Sequence, residues 1–396
     1  MTSWIPACAG MTAGRHKWAW TLTLLLAACV TPPAEPPAPP PTEPLPAAAP
    51  FTATDWSALP DWRTTDLVPA WPALMQSCRT LRKKSQWRDA CLAADAVDGS
   101  NDAAQRAFYE TWFAPWQVSN PDGSTQGLIT GYYEPRLYGS RTKTGRFRHP
   151  LYAVPDDLLT IDLSALHPQL KDLRLRGRVE GKRVVPYYTR AEIDAGKGVN
   201  NAGVLFWVDD AVALFFLQIQ GSGRIELPDG ALIKVGYADQ NGHPYVSIGK
   251  KLVEAGEMKL EDASMQNIRA WGAAHPDKLP ALLEQNPSYV FFRELPSDLT
   301  APLGAMGLPL TAERSLAIDP RIILLGAPVF LATTRPNSNE AMNRLMLAQD
   351  TGGAIRGAVR GDFFWGFGDD AGALAGRMKQ QGRMWVLYPK GSEPGR

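Results

Sequence analysis

Apolar positions recur every three or four residues in two long parts of the chain, and this spacing predicts helices there. The first part spans 70–117 and the second spans 247–285. Asn101-Asp102 predicts a break and a cap within the first part, and Asn286-Pro287 ends the second. The positions that support these helices are Leu74, Cys78, Leu81, Phe108, Trp112, Met265, Ile268 and Trp271.

Short apolar runs bounded by turn residues predict strands through most of the remaining chain. From residue 314 onward the pattern is β throughout, apart from a short helix predicted at 370–381. The predicted strands are 128–136, 151–154, 183–188, 204–209, 213–227, 231–237, 288–293, 315–319, 327–331, 345–348, 362–365 and 384–388.

Pro228-Asp-Gly230 is a strong turn signal between two of these runs and predicts a β-hairpin. Strand alternation would then place Gln218 and Gln220 on one face of the hairpin. Such a polar face is either exposed to solvent or forms a groove wall that hydrogen-bonds to hydroxyl and acetamido groups. Upstream, the Thr-x-x-Glu pattern that begins at Thr189 predicts the start of a short helix.

The N-terminus has the pattern of a secretory signal peptide, 1–28. A basic segment precedes an apolar run that is too short to span a membrane comfortably and ends in Leu26-Ala-Ala-Cys29. These four residues resemble a bacterial lipobox, which would make Cys29 the lipidated first residue of the mature protein. An ordinary signal peptide with a chance cysteine is the alternative. Val30 in place of aspartate favours a lipid anchor on the periplasmic face of the outer membrane. Translation could begin at Met1 or Met11.

The segment that follows, 29–64, is predicted to be a linker. Residues 31–50 are nearly all Pro, Ala, Glu and Thr, a composition that cannot build a core and favours extended polyproline II structure. It is interpreted either as a spacer between a membrane anchor and a polymeric substrate or as a disordered leader without a role of its own.

Composition narrows the class of protein. With 396 residues, of which 45% are apolar, the chain can hold two or three domains and a substantial core. A net charge of +1 gives no reason to expect nucleic-acid binding. The 34 prolines and 35 glycines favour a β-rich protein over a helical bundle. The histidines are scattered, and neither HExxH nor CxxC occurs, so we expect no metal site and no cofactor.

Cys78 and Cys91 are the only cysteines downstream of the predicted cleavage site apart from Cys29. In an exported protein such a pair predicts a disulfide, here joining two helices. Two buried free thiols are the alternative.

The stretch 349–366 combines the residue types that act on a polysaccharide. Asp350 and Asp362 flank a run of glycines and arginines, and Phe363-Phe-Trp365 follows directly. Carboxyl groups can transfer protons, glycine permits a close backbone approach to a ligand, and aromatic faces suit sugar rings. A third carboxylate, Glu134, ends a predicted strand and is expected to be solvated there.

Five motifs in this order resemble the membrane-bound lytic murein transglycosylase A family, over roughly residues 65–390. The closing set of three aspartates resembles the three-aspartate domain of that family. The motifs are Gly131-Tyr-Tyr-Glu-Pro135, Leu217-Gln-Ile-Gln-Gly-Ser-Gly223, Asn241-Gly-His-Pro-Tyr-Val-Ser-Ile-Gly-Lys250, Asn286-Pro-Ser-Tyr-Val-Phe-Phe292 and Asp319…Asp350…Asp362.

The resemblance implies a mainly β fold with peripheral helices. A double-psi β-barrel catalytic domain would be formed by both chain ends, 65–135 and 286–390. A smaller β domain, 136–285, would be inserted between them, and a groove between the two domains would hold peptidoglycan glycan strands.

The resemblance also implies the reaction, which is cleavage of the MurNAc–GlcNAc β-1,4 bond with formation of 1,6-anhydro-MurNAc. It makes Asp362 the catalytic acid and then base, with Asp350 and Asp319 in support. An alternative role for Asp319 is to begin a turn before Pro320. The implied substrate-binding residues are Thr130, Tyr132, Tyr133, Gln218, Gln220 and Ser222.

Two other functions fit parts of the same pattern. A glycoside hydrolase could use Asp350 together with Asp362, with water as the nucleophile and a reducing end as the product. A peptidoglycan-binding lipoprotein could use the same fold without catalysis, although all three aspartates are present.

Overall fold

A computed structural model describes residues 50–170, 173 and 175–395. The predicted signal peptide, the lipidation residue Cys29 and most of the proline-rich segment therefore lie outside the described residues.

Strands account for just over half of the regular structure, and helices for the rest. The strands are β1 Phe51–Ala53, β2 Phe113–Val118, β3 Gly127–Glu134, β4 Arg136–Ser140, β5 His149–Tyr152, β6 Leu159–Thr160, β7 Arg176–Glu180, β8 Arg183–Pro186, β9 Val204–Val208, β10 Ser222–Glu226, β11 Leu232–Gln240, β12 Val290–Glu294, β13 Ser315–Ala317, β14 Pro328–Thr334, β15 Ala341–Asp350, β16 Gly361–Phe367 and β17 Lys379–Pro389. The α-helices are α1 Trp71–Leu81, α2 Ser85–Ala94, α3 Asp102–Trp112, α4 Arg190–Asp194, α5 Ala211–Gln220, α6 Ile248–Glu254, α7 Met265–Ala274, α8 Leu279–Glu284 and α9 Asp369–Arg377. Short 3-10 helices occupy Trp56–Ala58, Val68–Ala70, Pro168–Leu170 and Leu260–Asp262.

The largest sheet has eight strands in the order β1-β2-β17-β14-β15-β13-β16-β3. Strand β17 also pairs with β3, so β17, β14, β15, β13, β16 and β3 form a closed ring. The ring therefore joins an early strand, β3, to the strands at the C-terminal end of the chain, and this pairing brings distant parts of the sequence together.

A second sheet has six strands in the order β12-β11-β10-β4-β9-β5, and β6-β7-β8 form a small third sheet. The chain passes from the first sheet to the second at Pro135, which separates β3 from β4. The second sheet has its own apolar core, which includes Leu137, Phe206, Ile225 and Phe292. The observed fold is thus mainly β with some helices, as predicted.

Helices α1 to α3 pack against the strand ring. Trp71, Trp87 and Phe108 from these helices share one core with Phe330 and Trp385 of the sheet. The predicted pair Cys78 and Cys91 forms a disulfide between α1 and α2. With a sequence separation of 13 residues, a bridge of this kind stabilises a fold by roughly 3 kcal/mol.

Several local predictions are confirmed by hydrogen bonds. The Asn101 side chain accepts a hydrogen bond from the Ala104 backbone and begins α3. The Glu192 carboxylate accepts one from the Thr189 backbone at the start of α4. The turn at Pro228–Gly230 connects β10 and β11, and Gly230 has the left-handed φ of 85° that such a turn requires.

The prediction of a strand over residues 213–220 is wrong, because these residues form α5. The Asp210 side chain accepts hydrogen bonds from the Val212 and Ala213 backbones, and Gly221 ends the helix with a φ of 78°. A continuous apolar run of this length fits a buried helix as well as a buried strand. Gln218 and Gln220 therefore do not share a strand face.

Two predicted helix boundaries are also wrong. The first helical part ends at Trp112, and Phe113–Val118 is strand β2. Pro115 cannot donate a backbone hydrogen bond, and it lies opposite Leu387 of β17. The predicted helix 370–381 ends at Arg377, and the next residues join β17.

Candidate active site

The ring aligns Asp362 with Asp350 although they lie on different strands. Strands β15, β13, β16 and β3 are neighbours in that order, and their register places Asp350, Ala317, Asp362 and Thr130 in one row. Residues in register on neighbouring strands face the same side of a sheet. Two strand spacings place the Cα atoms of the aspartates roughly 10 Å apart.

Asp362 is partly exposed at the start of β16, but its carboxyl group is largely surrounded by protein. Burial raises the pKa of Asp362 to about 6, and the negative charge of Asp350 adds to this effect. A hydrogen bond from Thr130 and the positive charge of Arg360 oppose the rise. This carboxyl group can therefore carry a proton in mildly acidic solution and release it near neutral pH.

Asp362 uses one of its two carboxyl oxygens within the protein. The Thr130 hydroxyl donates to Asp362 Oδ1 over 2.6 Å, and Arg360 Nη2 donates to Thr130 Oγ1 over 2.9 Å. Among the hydrogen bonds of the described residues, none reaches Asp362 Oδ2. This oxygen is available for a ligand.

Asp350 makes more contacts. Its Oδ1 accepts hydrogen bonds from the backbones of Ala305 at 3.0 Å and Thr351 at 2.9 Å. Its Oδ2 accepts one from the Tyr132 hydroxyl at 2.9 Å. These donors stabilise a negative charge on Asp350, which lies beside Asp362.

Asp319 follows β13 and is buried. Burial by itself would raise the pKa of Asp319, but hydrogen bonds from the Arg321 side chain and backbone and from the Gly357 backbone lower it to about 2. Gly357 has a φ of 110°, which favours glycine, and its N–H reaches Asp319 Oδ2 at 3.0 Å. Asp319 thereby holds the loop that connects Asp350 to Asp362.

The aromatic cluster after Asp362 contributes to the core. Phe363 and Trp365 pack into the main core. Phe364, on the same strand face as Asp362, packs in a small apolar cluster with Tyr132, Ala317 and other buried residues. The aromatic residues are thus too deeply buried to stack on a sugar, and this cluster contributes to the apolar surroundings of the Asp362 strand face.

Of the predicted substrate-binding residues, Thr130 contacts Asp362 directly. The others are spread over β3, α5 and β10. Tyr132 and Tyr133 are each 8% exposed. The Tyr133 backbone donates to Gln220 Oε1 at 3.1 Å, which connects β3 to α5. Gln218 is buried and accepts a hydrogen bond from Arg190. Ser222, at the start of β10, is partly exposed.

Glu134 is not solvated, contrary to expectation. It is 1% exposed, and its Oε2 accepts hydrogen bonds from Arg224 Nε at 2.9 Å and Nη2 at 2.8 Å. The Arg224 guanidinium also lies 3.8 Å from the centre of the Phe367 ring. These contacts join the end of β3, strand β10 and the end of β16, so Glu134 connects the two large sheets.

Arg360 is a site residue that the sequence motifs do not single out. It lies two residues before Asp362, the spacing that places side chains on one face of an extended chain. That spacing is the available signal, but nothing in the sequence shows that Thr130 lies between the two side chains.

Within the described residues, no group of three or more His, Cys, Asp or Glu side chains could hold a metal ion. The helices of the same part of the chain are all too short or too polar to cross a membrane.

Two family models match this chain, one in its central part and one in its C-terminal part. The model of the MltA specific insert domain matches residues 128–293, and that of the 3D domain matches residues 314–388. Membrane-bound lytic murein transglycosylase A of Escherichia coli strain K12 is 36% identical over 279 residues, which cover 69% of this chain and 68% of the relative.

Solved structures agree with these matches. MltA from Neisseria gonorrhoeae, in a monoclinic crystal form, has a TM-score of 0.76 at 41% identity and covers 87% of this chain and 94% of its own. E. coli MltA with bound chitohexaose has a TM-score of 0.65 at 28% identity and covers 88% of this chain and 99% of its own.

Proposed function

The chain belongs to the membrane-bound lytic murein transglycosylase A family, and from this premise we propose that Asp362 is its single proton-transferring residue. The protein is a peptidoglycan lytic transglycosylase, a lyase that acts on murein. The observation that carries the proposal is the environment of Asp362, which combines a raised pKa with one carboxyl oxygen that no donor of the described chain occupies.

The proposed reaction needs one carboxyl group and no water. Protonated Asp362 donates its proton to the glycosidic oxygen as the bond from that oxygen to C1 of MurNAc breaks. The resulting carboxylate then accepts the proton of the C6 hydroxyl while that oxygen bonds to C1. The products are a shortened glycan with a free C4 hydroxyl and a 1,6-anhydro-MurNAc end.

The other two aspartates support this step without exchanging protons. Asp350 provides a negative charge near the positive charge that develops on the sugar ring, and it raises the proton affinity of Asp362. Asp319 holds the connecting loop through Gly357. Tyr132 orients Asp350. Tyr133, Gln220 and Ser222 lie close to the junction of the two sheets and are proposed to border the glycan groove.

The contacts of Asp350 favour this mechanism over hydrolysis by two carboxylates. A general base must accept a proton from water, and the hydrogen bonds from Ala305, Thr351 and Tyr132 stabilise the Asp350 carboxylate and make it a weaker base. We therefore expect Asp350→Asn to reduce the rate without changing the product. A shift from anhydro to reducing ends in any variant would support the hydrolase alternative.

The family also suggests finer architecture. We propose that the closed ring of strands is a double-psi β-barrel built from 65–135 and 286–390, and that 136–285 is the inserted domain. The six-stranded sheet lies largely within that insert, and the pairing of β3 with β16 joins the two chain ends. The glycan groove would run between the two sheets.

We further propose that Cys29 carries a lipid and that the mature enzyme is held on the periplasmic face of the outer membrane. The relatives are named as membrane-bound enzymes, and the lipobox pattern is the feature of this chain that supports an anchor. Globomycin treatment or Cys29→Ser should release the protein into the soluble periplasmic fraction.

The proposed function is tested by product analysis. Purified sacculi are digested with the wild type and with Asp362→Asn, and the muropeptide ends are identified by mass. We expect 1,6-anhydro ends from the wild type and almost none from the variant. Undiminished anhydro product from Asp362→Asn would remove this residue from the proposed role.

A further inference from the structure

Arg360 has a fixed position beside the candidate acid. Its Nη2 donates to Thr130 Oγ1 at 2.9 Å, and its Nη1 donates to the backbone oxygens of Gly361 and, at 3.4 Å, of Leu128. These backbone acceptors belong to β16 and to β3, the two parallel strands that carry Asp362 and Thr130. The guanidinium is therefore held in one orientation by main-chain atoms.

This orientation determines the direction of the next hydrogen bond. An arginine side chain only donates, whereas a hydroxyl group has a single proton and two lone pairs. Arg360 occupies a lone pair of Thr130 Oγ1, and Asp362 Oδ1 lies 2.6 Å from the same oxygen. The hydrogen bonds of the described residues offer the Thr130 proton no other acceptor, so it points to Asp362 Oδ1.

We propose that Arg360 is a positioning residue that acts through Thr130 and confines the mobile proton of Asp362 to Oδ2. The inference rests on the proposed function of Asp362 and adds the atom that carries the proton. With Oδ1 already accepting from Thr130, a proton on that oxygen would weaken this hydrogen bond, whereas a proton on Oδ2 leaves it intact. Oδ2 meets no such donor within the described chain, and it is the oxygen left for the substrate.

The consequence is that one oxygen performs both halves of the reaction. The Oδ2–H bond breaks as the proton moves to the glycosidic oxygen and the bond from C1 to that oxygen opens. The C6 oxygen then bonds to C1, and its proton returns to the same Oδ2. Throughout, Oδ1 keeps the Thr130 donor, which stabilises the carboxylate that exists between the two transfers.

The charged and titratable groups around Asp362 come from four strands. Arg360 immediately precedes β16, Tyr132 and Thr130 lie on β3, Asp350 ends β15, and Lys379 lies opposite Thr130 on β17. Asp350 opposes ionisation of Asp362, whereas Arg360 and Thr130 favour it. Arg360 and Thr130 together therefore limit how far burial raises the pKa of Asp362.

The test uses an NMR titration of the full-length protein, with 13C in the side-chain carboxyl of aspartate. The Asp362 signal is assigned by its absence in Asp362→Asn. Thr130→Val, which removes the donor, should move the midpoint to higher pH by on the order of one unit. Thr130→Ser, which keeps the hydroxyl, should leave it in place. The basic limb of kcat/KM against pH should move with the midpoint.

Arg360 is tested with Arg360→Met, Arg360→Lys and the double variant Arg360→Met with Thr130→Val. We expect Arg360→Met to raise the midpoint, and to raise it much less when Thr130 is already valine. Arg360→Lys, which retains the charge and a donor, should give less than half of the shift. Arg335→Met removes an arginine from an exposed ion pair with Glu340 and serves as the control.

Equal shifts from Arg360→Met in both backgrounds would overturn the inference, because Arg360 would then act only through its charge. An unchanged midpoint in Thr130→Val would overturn it as well, even if Arg360→Met failed to fold. The titration does not depend on turnover. The proposed function is judged separately, by the loss of anhydro product in Asp362→Asn. The proposed function and the role of Arg360 can therefore fail independently.

Discussion

Asp362 lies on β16, and Asp319 follows the neighbouring strand β13. The two show how one residue type acquires different acid–base properties. Both carboxyl groups lose contact with water, which alone would raise the pKa of each. Asp319 accepts hydrogen bonds from Arg321 and Gly357 that lower its pKa to about 2, whereas Asp362 accepts one from Thr130 and its pKa is raised to about 6. Burial is common to both residues, and the number of donors distinguishes them.

The comparison predicts which aspartate stores a proton. A carboxylate surrounded by donors remains ionised and can hold a loop, but it has no proton to give. A carboxyl group with one donor in an apolar site can exchange a proton near neutral pH. The two residues should therefore respond in opposite ways to amide substitution and to pH.

The largest effect is expected from Asp362→Asn on activity. The amide keeps the shape of the side chain but cannot donate and recover a proton, so the rate of anhydro-muropeptide release should fall by about 100- to 10,000-fold. Asp370→Asn, on the exposed start of α9, is the matched control and should digest sacculi at the wild-type rate. Similar losses of activity in both variants would mean that Asp362 matters no more to the reaction than an exposed aspartate.

Asp319→Asn should have its main effect on the stability of the fold. The amide cannot balance Arg321, so we expect the free energy of unfolding at pH 7 to fall by about 2 kcal/mol. The Arg321 side chain is 51% exposed, which keeps the loss from being larger. Denaturant melts measure this loss in the free energy of unfolding, with Asp298→Asn at an exposed position as the control. No loss would mean that Asp319 does not hold the loop.

The pH dependence of stability should have opposite signs at the two sites. Asp319 has a lowered folded-state pKa, so its contribution is present above the ordinary pKa of 3.8 and is lost as pH falls through about 2. Asp362 has a raised folded-state pKa, so its contribution to stability is present below pH 3.8 and is lost as pH rises through about 6.

Asp362→Asn should consequently stabilise the fold at pH 7 by about 1 kcal/mol, and by much less at pH 4. Melting temperatures of the wild type and the variant, measured across this range, test the sign. A variant that is equally stable or less stable than the wild type at pH 7 would contradict the raised pKa.

The smallest effect is expected from Tyr132→Phe. This change removes the Tyr132 hydroxyl that donates to Asp350 and leaves the ring in place, so activity should fall only about threefold. Tyr138→Phe, an exposed tyrosine of β4, provides the control. A loss as large as that of Asp362→Asn would show that Asp350 or Tyr132 takes part directly in proton transfer.

Local patterns were sufficient where neighbouring residues decide the structure. Asn101 begins α3, Gly230 closes the β10–β11 turn, and the C-terminal strands follow the short apolar runs bounded by turn residues. Local patterns misled in one continuous apolar run. The run from Ala213 to Gln220 is apolar enough for either a strand or a helix, and the Asp210 cap and Gly221 turn decided in favour of α5.

The amino-acid sequence was enough to establish the family, the order of its motifs and the identity of the three aspartates. It did not establish their protonation, because a pKa depends on which groups surround a carboxyl group and not on its neighbours in the chain. The folded chain brings Thr130 to Asp362 across more than two hundred residues, and Tyr132 to Asp350. The parallel pairing of β3 with β16 is the contact that places the Thr130 hydroxyl beside Asp362, the proposed acid.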